Sequence, residues 1–135
     1  MLKTKSFLKP KEDSDGIRIS IVGLHKWDPG VMDYTEITEI VPEMYDEWLK
    51  IFAPPLKLVG DVYIRKTCSL EQFKGRYLEY IEQPEMEIQV KQLAKRSLES
   101  TITLLCLEPT PEYCHRKYLA EQCQKYEPGL ELSIE

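Results

Sequence analysis

The sequence predicts an α/β fold: a small, mostly parallel sheet flanked by about four helices, in a single compact domain over residues 1–135. Three observations carry this. Ile17, Ile19 and Ile21 alternate with Arg18 and Ser20, the two-residue period of a strand with one buried face. Thr101–Leu107 becomes apolar on both faces towards its end, as a central parallel strand requires. The segments between and after them repeat their apolar residues every three or four positions, the period of helices. A chain of 135 residues has room for one such core and not for two.

Taken in order, Leu2–Leu8 reads as a weaker strand. Asp13–Gly16 (Asp-Ser-Asp-Gly) is a turn signal, and the alternating strand follows it over residues 17–24. Residues 25–42 include Asp28-Pro29-Gly30, show no clear period and read as a long loop. From Pro42 the spacing of Met44, Tyr45, Trp48, Leu49 and Phe52 is helical, and Pro54-Pro55 ends that helix. A short strand is expected at Asp61–Arg65. Ser69-Leu70-Glu71-Gln72 fits a capping box, in which a serine hydroxyl and a glutamine side chain each satisfy the other residue's free amide. It opens a helix with Leu70, Phe73, Tyr77 and Ile81 on one face. Pro84 suits the first turn of a further helix, with Met86, Val90, Leu93 and Ala94 inward. After strand 101–107, Thr110 is the expected N-cap and Pro111 the first residue of a final helix, with Leu119, Ala120 and Cys123 facing the core. Pro128-Gly129 breaks it, and Leu130–Ile134 alternates as a last strand. Strand 101–107, the final helix and strand 130–134 are expected to form one β-α-β unit.

Composition excludes several functions. Acids outnumber bases by 23 to 18, a net charge of −5, which argues against general nucleic-acid binding and against anionic membranes. No apolar run is long enough to span a bilayer, and the lysines of Met1–Pro10 precede no apolar stretch of a secretory signal. The cysteines Cys68, Cys106, Cys114 and Cys123 are too few for a secreted disulfide scaffold. A cytoplasmic protein with reduced thiols is expected. A protein partner and a cofactor are left open.

The stretch from Glu108 to Arg116 is the richest in chemistry. It lies just past the carboxyl end of the central strand, where open parallel sheets bind ligands. The following helix contributes free amides and a positive dipole end. Cys114 is a soft nucleophile, His115 a proton-transfer group, Arg116 an anion clamp and Glu108 a carboxylate. Should strands 17–24 and 101–107 be parallel neighbours, His25 shares their rim with His115. Each member also has a plain structural reading. Cys106 reads first as a packed core thiol. Cys123 lies on a buried stripe, and Cys68 packs near a helix cap. Cys114 falls a full turn inside a helix capped by Thr110, and Arg116 pairs with Glu112.

Three sharper arrangements fit the spacing poorly. A thiol phosphatase cradle needs a loop of free amides, whereas this loop has two prolines and no glycine, and Cys106 and Arg116 are too far apart in sequence. Zinc would draw on Cys106, Cys114, His115 and His25, but the chain lacks a Cys-x2-Cys pair, and adjacent helical residues such as Cys114 and His115 diverge by roughly 100°. No metal site is therefore assigned. A Cys114–His115 nucleophilic pair meets the same angular objection unless His25 is the base.

The stretch Leu104-Leu105-Cys106-Leu107-Glu108-Pro109-Thr110-Pro111-Glu112-Tyr113-Cys114-His115-Arg116, continued by Leu119-Ala120-Glu121, resembles the signature of the uncharacterised prokaryotic family called domain of unknown function 488. Trp48-Leu49 with Ala53-Pro54-Pro55, Lys57–Gly60, Phe73–Leu78 and the opening Asp15-Gly16-Ile17-Arg18 agree with it. One departure lies after the first long strand, where many relatives carry an arginine and this chain has Gly23-Leu24-His25-Lys26. The resemblance implies a compact α/β domain with a site around Glu108, Cys114, His115 and Arg116. The expected function is binding of a small anionic or nucleotide-like ligand. Cys114, His115 and Glu108 are the candidate catalytic residues, and Arg116, His25, Cys106 and Arg18 the candidate ligand-binding ones. The alternative is a non-catalytic interaction module in which the Cys-His-Arg cluster is structural.

Overall fold

A computed structural model describes residues 1–135. Five strands form one sheet: β1 (Leu2–Ser6), β2 (Ile17–Ser20), β3 (Glu47–Trp48), β4 (Ile102–Cys106) and β5 (Leu132–Ile134). Their order is β3-β2-β4-β1-β5, and every pairing is parallel. Four helices accompany it: α1 (Leu56–Tyr63), α2 (Leu70–Ile81), α3 (Pro84–Glu99) and α4 (His115–Tyr126). The expected α/β architecture is present.

The period-two pattern sorts the sheet into two faces. Leu2, Ile19, Ile21, Ile102 and Leu104 pack with Phe73, Tyr77, Val90 and Leu119 of the helices in one large core. Each fully buried aliphatic side chain there contributes about 1.5–3 kcal/mol. Residues of alternate parity, Lys5, Arg18, Ser20 and Leu105, face the other way. Charge is buried on that side: Asp15 bonds the Nζ of Lys5 at 3.0 Å and the Nη1 of Arg18. Gly16 ends the Asp-Ser-Asp-Gly turn with φ +64°, and a Cβ there would stand 2.2 Å from the Thr101 carbonyl oxygen. Only glycine fits both the dihedral and the space.

β4 is the central strand, as the sequence indicates, with β2 and β1 as its neighbours. The weaker strand near the amino terminus is better integrated than its lysines suggest, because β1 is paired on both sides and Lys5 finds carboxylates. The capping box of α2 is formed, with Gln72 N–H donating to Ser69 Oγ at 3.1 Å and Ser69 N–H to Gln72 Oε1 at 2.8 Å. Leu70, expected inward, is 40% exposed, since as the first residue of α2 it lies beyond the core that Phe73, Tyr77 and Ile81 reach. Those three, and Met86, Val90, Leu93 and Ala94 of α3, are buried as their spacing predicts.

Two expectations are corrected. The helix from Pro42 to Phe52 is replaced by a 3-10 turn at Pro42–Met44, strand β3 and a 3-10 turn at Lys50–Phe52. The open edge of β2 wins over the local period: Asp46 N–H donates to Arg18 O at 2.8 Å and Leu49 N–H to Ser20 O at 2.9 Å. The strand at Asp61–Arg65 is instead part of α1 and its end. There Asp61, buried in α1, accepts from Arg65 just past the helix end and from Arg76 of α2. The expected β-α-β unit of β4, α4 and β5 is present, with β5 paired to β1, so the connection through α4 passes over one strand.

Candidate functional site

The site begins where β4 and β2 leave the sheet side by side. Cys106 ends β4, and past Ser20 the Ile21 N–H still donates to Leu105 O at 3.1 Å. The chain from Leu107 to Tyr113 then loops out. Pro109 and Pro111 deny it amide donors, Tyr113 is left-handed with φ 59°, and Cys114 N–H closes a turn on Pro111 O at 3.0 Å. The helix therefore starts at His115, and the residue at its N-cap is Cys114, with extended φ −98° and ψ 138°. This corrects Thr110 as cap and Pro111 as first helical residue. It also removes the angular objection, because Cys114 is not a helical neighbour of His115.

The consequence is convergence. His115 Nδ1 lies 3.8 Å from Cys106 Sγ and 3.9 Å from Cys114 Sγ, and the three atoms are all within 4.8 Å of one another. The other ring nitrogen, Nε2, is 2.8 Å from the Ile21 carbonyl oxygen. A carbonyl only accepts, so Nε2 carries the hydrogen, and in the neutral ring the lone pair sits on Nδ1 between the sulfurs. Tyr77 meets the ring edge-on at 5.5 Å between centroids.

Arg116 is fully buried. Its Nε donates to Glu135 O at 3.1 Å, and its Nη1 to Glu108 O at 2.9 Å and Cys114 Sγ at 3.3 Å. It does not pair with Glu112. Its Nη2 is buried without a partner. Glu108 is half-buried and accepts a hydrogen bond from the Tyr63 hydroxyl at 3.2 Å.

The electrostatics separate the two thiols. A hydrogen bond from Cys114 outweighs burial and, with His115 and the Glu108 amide, holds Cys106 well below the usual thiol range. Burial, and then the neighbouring Cys106, push Cys114 well up. Burial alone would lower the His115 imidazole, but the charge and hydrogen bond of Cys106 raise it. Burial and Cys106 raise Glu108 against the opposing hydrogen bond from Tyr63. Burial and Glu108 raise the Tyr34 and Tyr63 hydroxyls.

The structure brings together Cys106, Cys114, His115 and Arg116, with Glu108 at their margin. It does not bring His25 or Arg18 to them. β2 and β4 are parallel neighbours, so both histidines follow strand ends, but His25 stacks on Trp48 at 3.6 Å and bonds Ser20 Oγ through Nε2 at 2.8 Å. Arg18 bonds Asp15 and the Met44 carbonyl oxygen on the sheet face opposite the large core. Tyr34, Tyr63 and Tyr77 were not singled out for the site. Tyr34 lies in the aperiodic loop, Tyr63 in a segment read as strand, and Tyr77 signals only burial in its helical spacing. Tyr34 also lines a cleft of about 530 Å³ with Pro29, Gly30, Met32, Asp33, Thr35 and Glu36.

The family model described as the active DUF488-N3 subclade, DUF488-N3a, matches residues 2–127. The chain belongs to the DUF488 family. The match extends from β1 through α4 and takes in every residue of the cluster. No curated protein and no solved structure matches the chain. In this DUF488 domain the sequence Cys114-His115-Arg116 is thus a cap followed by the first two residues of a helix, folded back onto the end of the central strand. No helix is long and apolar enough to cross a membrane.

Proposed function

We propose that this DUF488 domain binds a small anionic, phosphate-bearing ligand at the carboxyl ends of β2 and β4, with Arg116 holding the anion. The observation that carries the reading is the buried Nη2 of Arg116, a cationic donor without a partner. An unsatisfied charged donor is costly, and an anion oxygen would satisfy it. The start of α4 adds the positive end of a helix dipole at the same place. Glu108, held by Tyr63, is placed to orient the ligand at the rim. The description of the matching family as an active subclade supports turnover of that ligand, with Cys114, His115 and Glu108 as the candidate groups.

A second reading, a non-catalytic module with a structural Cys-His-Arg cluster, is favoured by one observation. Both ring nitrogens of His115 are engaged inside the protein. A thermal-unfolding screen separates the two. Inorganic phosphate and nucleoside mono- and diphosphates are added to the wild-type protein in chelator, beside Arg116→Lys, which keeps the charge and loses the planar fork. A ligand at 100 times its Kd adds about 2.7 kcal/mol of stability. The expected result is a raised midpoint in the wild type and a smaller rise in the folded variant. If no anion moves the wild-type midpoint, the anion reading fails and the structural one stands.

A further inference from the structure

We infer that Cys106, Cys114 and His115 form a binding site for a soft divalent cation of the zinc class, with a fourth coordination position left open. The inference goes beyond anion binding and rests on separate observations. The first is the triangle of ligand atoms. Tetrahedral zinc with Zn–S of about 2.3 Å and Zn–N of about 2.0 Å places sulfur and nitrogen about 3.5 Å apart and two sulfurs about 3.8 Å apart. The two Nδ1–Sγ distances here are 3.8 and 3.9 Å. All three atoms lie within 4.8 Å of one another, so seating the ion takes a closure of a few tenths of an ångström at the nitrogen edges and of up to about 1 Å at the sulfur–sulfur edge, a shift of side-chain torsion at the two cysteines.

The second observation is the way the histidine is held. Its Nε2–H is fixed on the Ile21 carbonyl oxygen at 2.8 Å, which leaves Nδ1 as the lone-pair donor aimed at both sulfurs. Ligating histidines are oriented by such an outer hydrogen bond. Cys114 Sγ has its own outer donor in Arg116 Nη1 at 3.3 Å. Two sulfurs and an imidazole select zinc-like cations over magnesium or calcium, which take oxygen ligands. Three protein ligands rather than four is the pattern of zinc sites that keep a place for water or a ligand. Binding moves only protons: any proton still held by a ligating sulfur or by His115 Nδ1 passes to solvent as that atom bonds the metal.

Cobalt(II) tests the site on the whole chain, stripped of metal by chelator, kept reduced, and free of phosphate and nucleotide. The expected result is uptake of one equivalent, with sulfur-to-cobalt charge transfer in the near ultraviolet and the strong visible bands of a tetrahedral ion. Zinc(II) should displace it. Cys106→Ser and Cys114→Ser should each weaken uptake by more than the roughly 10- to 100-fold typical of losing an outer-shell partner. Cys68→Ser should leave it unchanged. Where a serine variant fails to fold, alkylation of the wild type decides: zinc must slow modification of Cys106 and Cys114 and not of Cys68. The inference is overturned if the wild type shows no sulfur-to-cobalt band, if the band persists undiminished in both folded serine variants, or if zinc protects neither cysteine. Because the phosphate screen is run in chelator and the cobalt titration without anions, either reading can fail alone.

Discussion

His115 at the start of α4 is tied to the end of β2 by a hydrogen bond of 2.8 Å from its Nε2 to the Ile21 carbonyl oxygen. The two residues are 94 positions apart, and the bond ties the helix that follows β4 to the end of β2, the parallel neighbour of β4 in the sheet. Replacing His115 with Phe keeps a ring against Tyr77 but leaves the Ile21 oxygen unsatisfied in a buried place. The expected loss is about 1–3 kcal/mol. Urea unfolding in chelator should show a lower midpoint with an unchanged slope. An unchanged midpoint would mean that this bond does not hold α4 to the sheet.

Asp15 gives the opposite face its acid sensitivity. Burial alone would raise its carboxyl pKa, but the Glu12 amide, Lys5 and Arg18 together hold it below the usual 3.8. A carboxylate with a lowered folded pKa adds stability above its unfolded pKa and loses it as pH falls through the folded one. Stability should therefore decline below about pH 4 as this carboxylate takes up a proton. Asp15→Asn removes that part of the decline and leaves Lys5 and Arg18 without a buried partner. The expected cost at neutral pH is about 3–5 kcal/mol. Unfolding midpoints of both proteins from pH 7 to pH 3 check it, and parallel curves would contradict it.

What was legible in the sequence was whatever a local period or cap encodes. Phe73, Tyr77 and Ile81 recur every four residues, and Ser69 with Gln72 announces the helix start. The alternation of Ile17, Ile19 and Ile21 gave β2, and the apolar run at 101–107 gave the central strand. What misled was local pattern overruled by distant partners. Met44, Trp48 and Phe52 have helical spacing, yet β2 offers an unpaired edge that no local signal announces. Lys5 disguised a strand paired on both sides because its carboxylates come from the turn at Glu12 and Asp15. At the site, the residue types Cys114, His115 and Arg116 were readable, but their convergence was not. It depends on where the helix begins, and a left-handed Tyr113 sets that point without any glycine or asparagine to signal it.

His25 and Trp48 form a stacked pair at the strand ends, 3.6 Å between centroids and 16° between planes. Burial, then the charge of Lys50, lower the His25 imidazole from its ordinary 6.5. Its NMR titration midpoint should fall below that value, and Lys50→Gln should move it back up. Trp48 reports the same event, because its ring lies against the titrating one. In a Trp27→Phe background, Trp48 emission should change with the same midpoint as the His25 resonances. Because the folded pKa is lowered, the neutral ring is the stabilising form, and its contribution is lost as pH falls through the folded value. A midpoint at or above 6.5 would contradict the placement of His25 against Trp48 and Ser20.

Cys123 is the control among the four thiols. It lies fully buried in the large core, near the Val90 carbonyl oxygen of α3, and burial pushes it up to about 12. At pH 8 a thiol with that value is ionised in roughly one molecule in ten thousand, and the thiolate is the reactive form. Iodoacetamide should therefore leave Cys123 unmodified in the folded protein and modify it only at the rate of global unfolding, so that added urea accelerates labelling in step with loss of structure. Cys123→Ala should cost stability by opening a small cavity, on the order of 1 kcal/mol for the volume removed. Mass spectrometry of tryptic peptides after timed labelling distinguishes this thiol from Cys106 and Cys114 in one experiment. Rapid modification of Cys123 under native conditions would mean that α4 detaches from α3 far more readily than their packing implies.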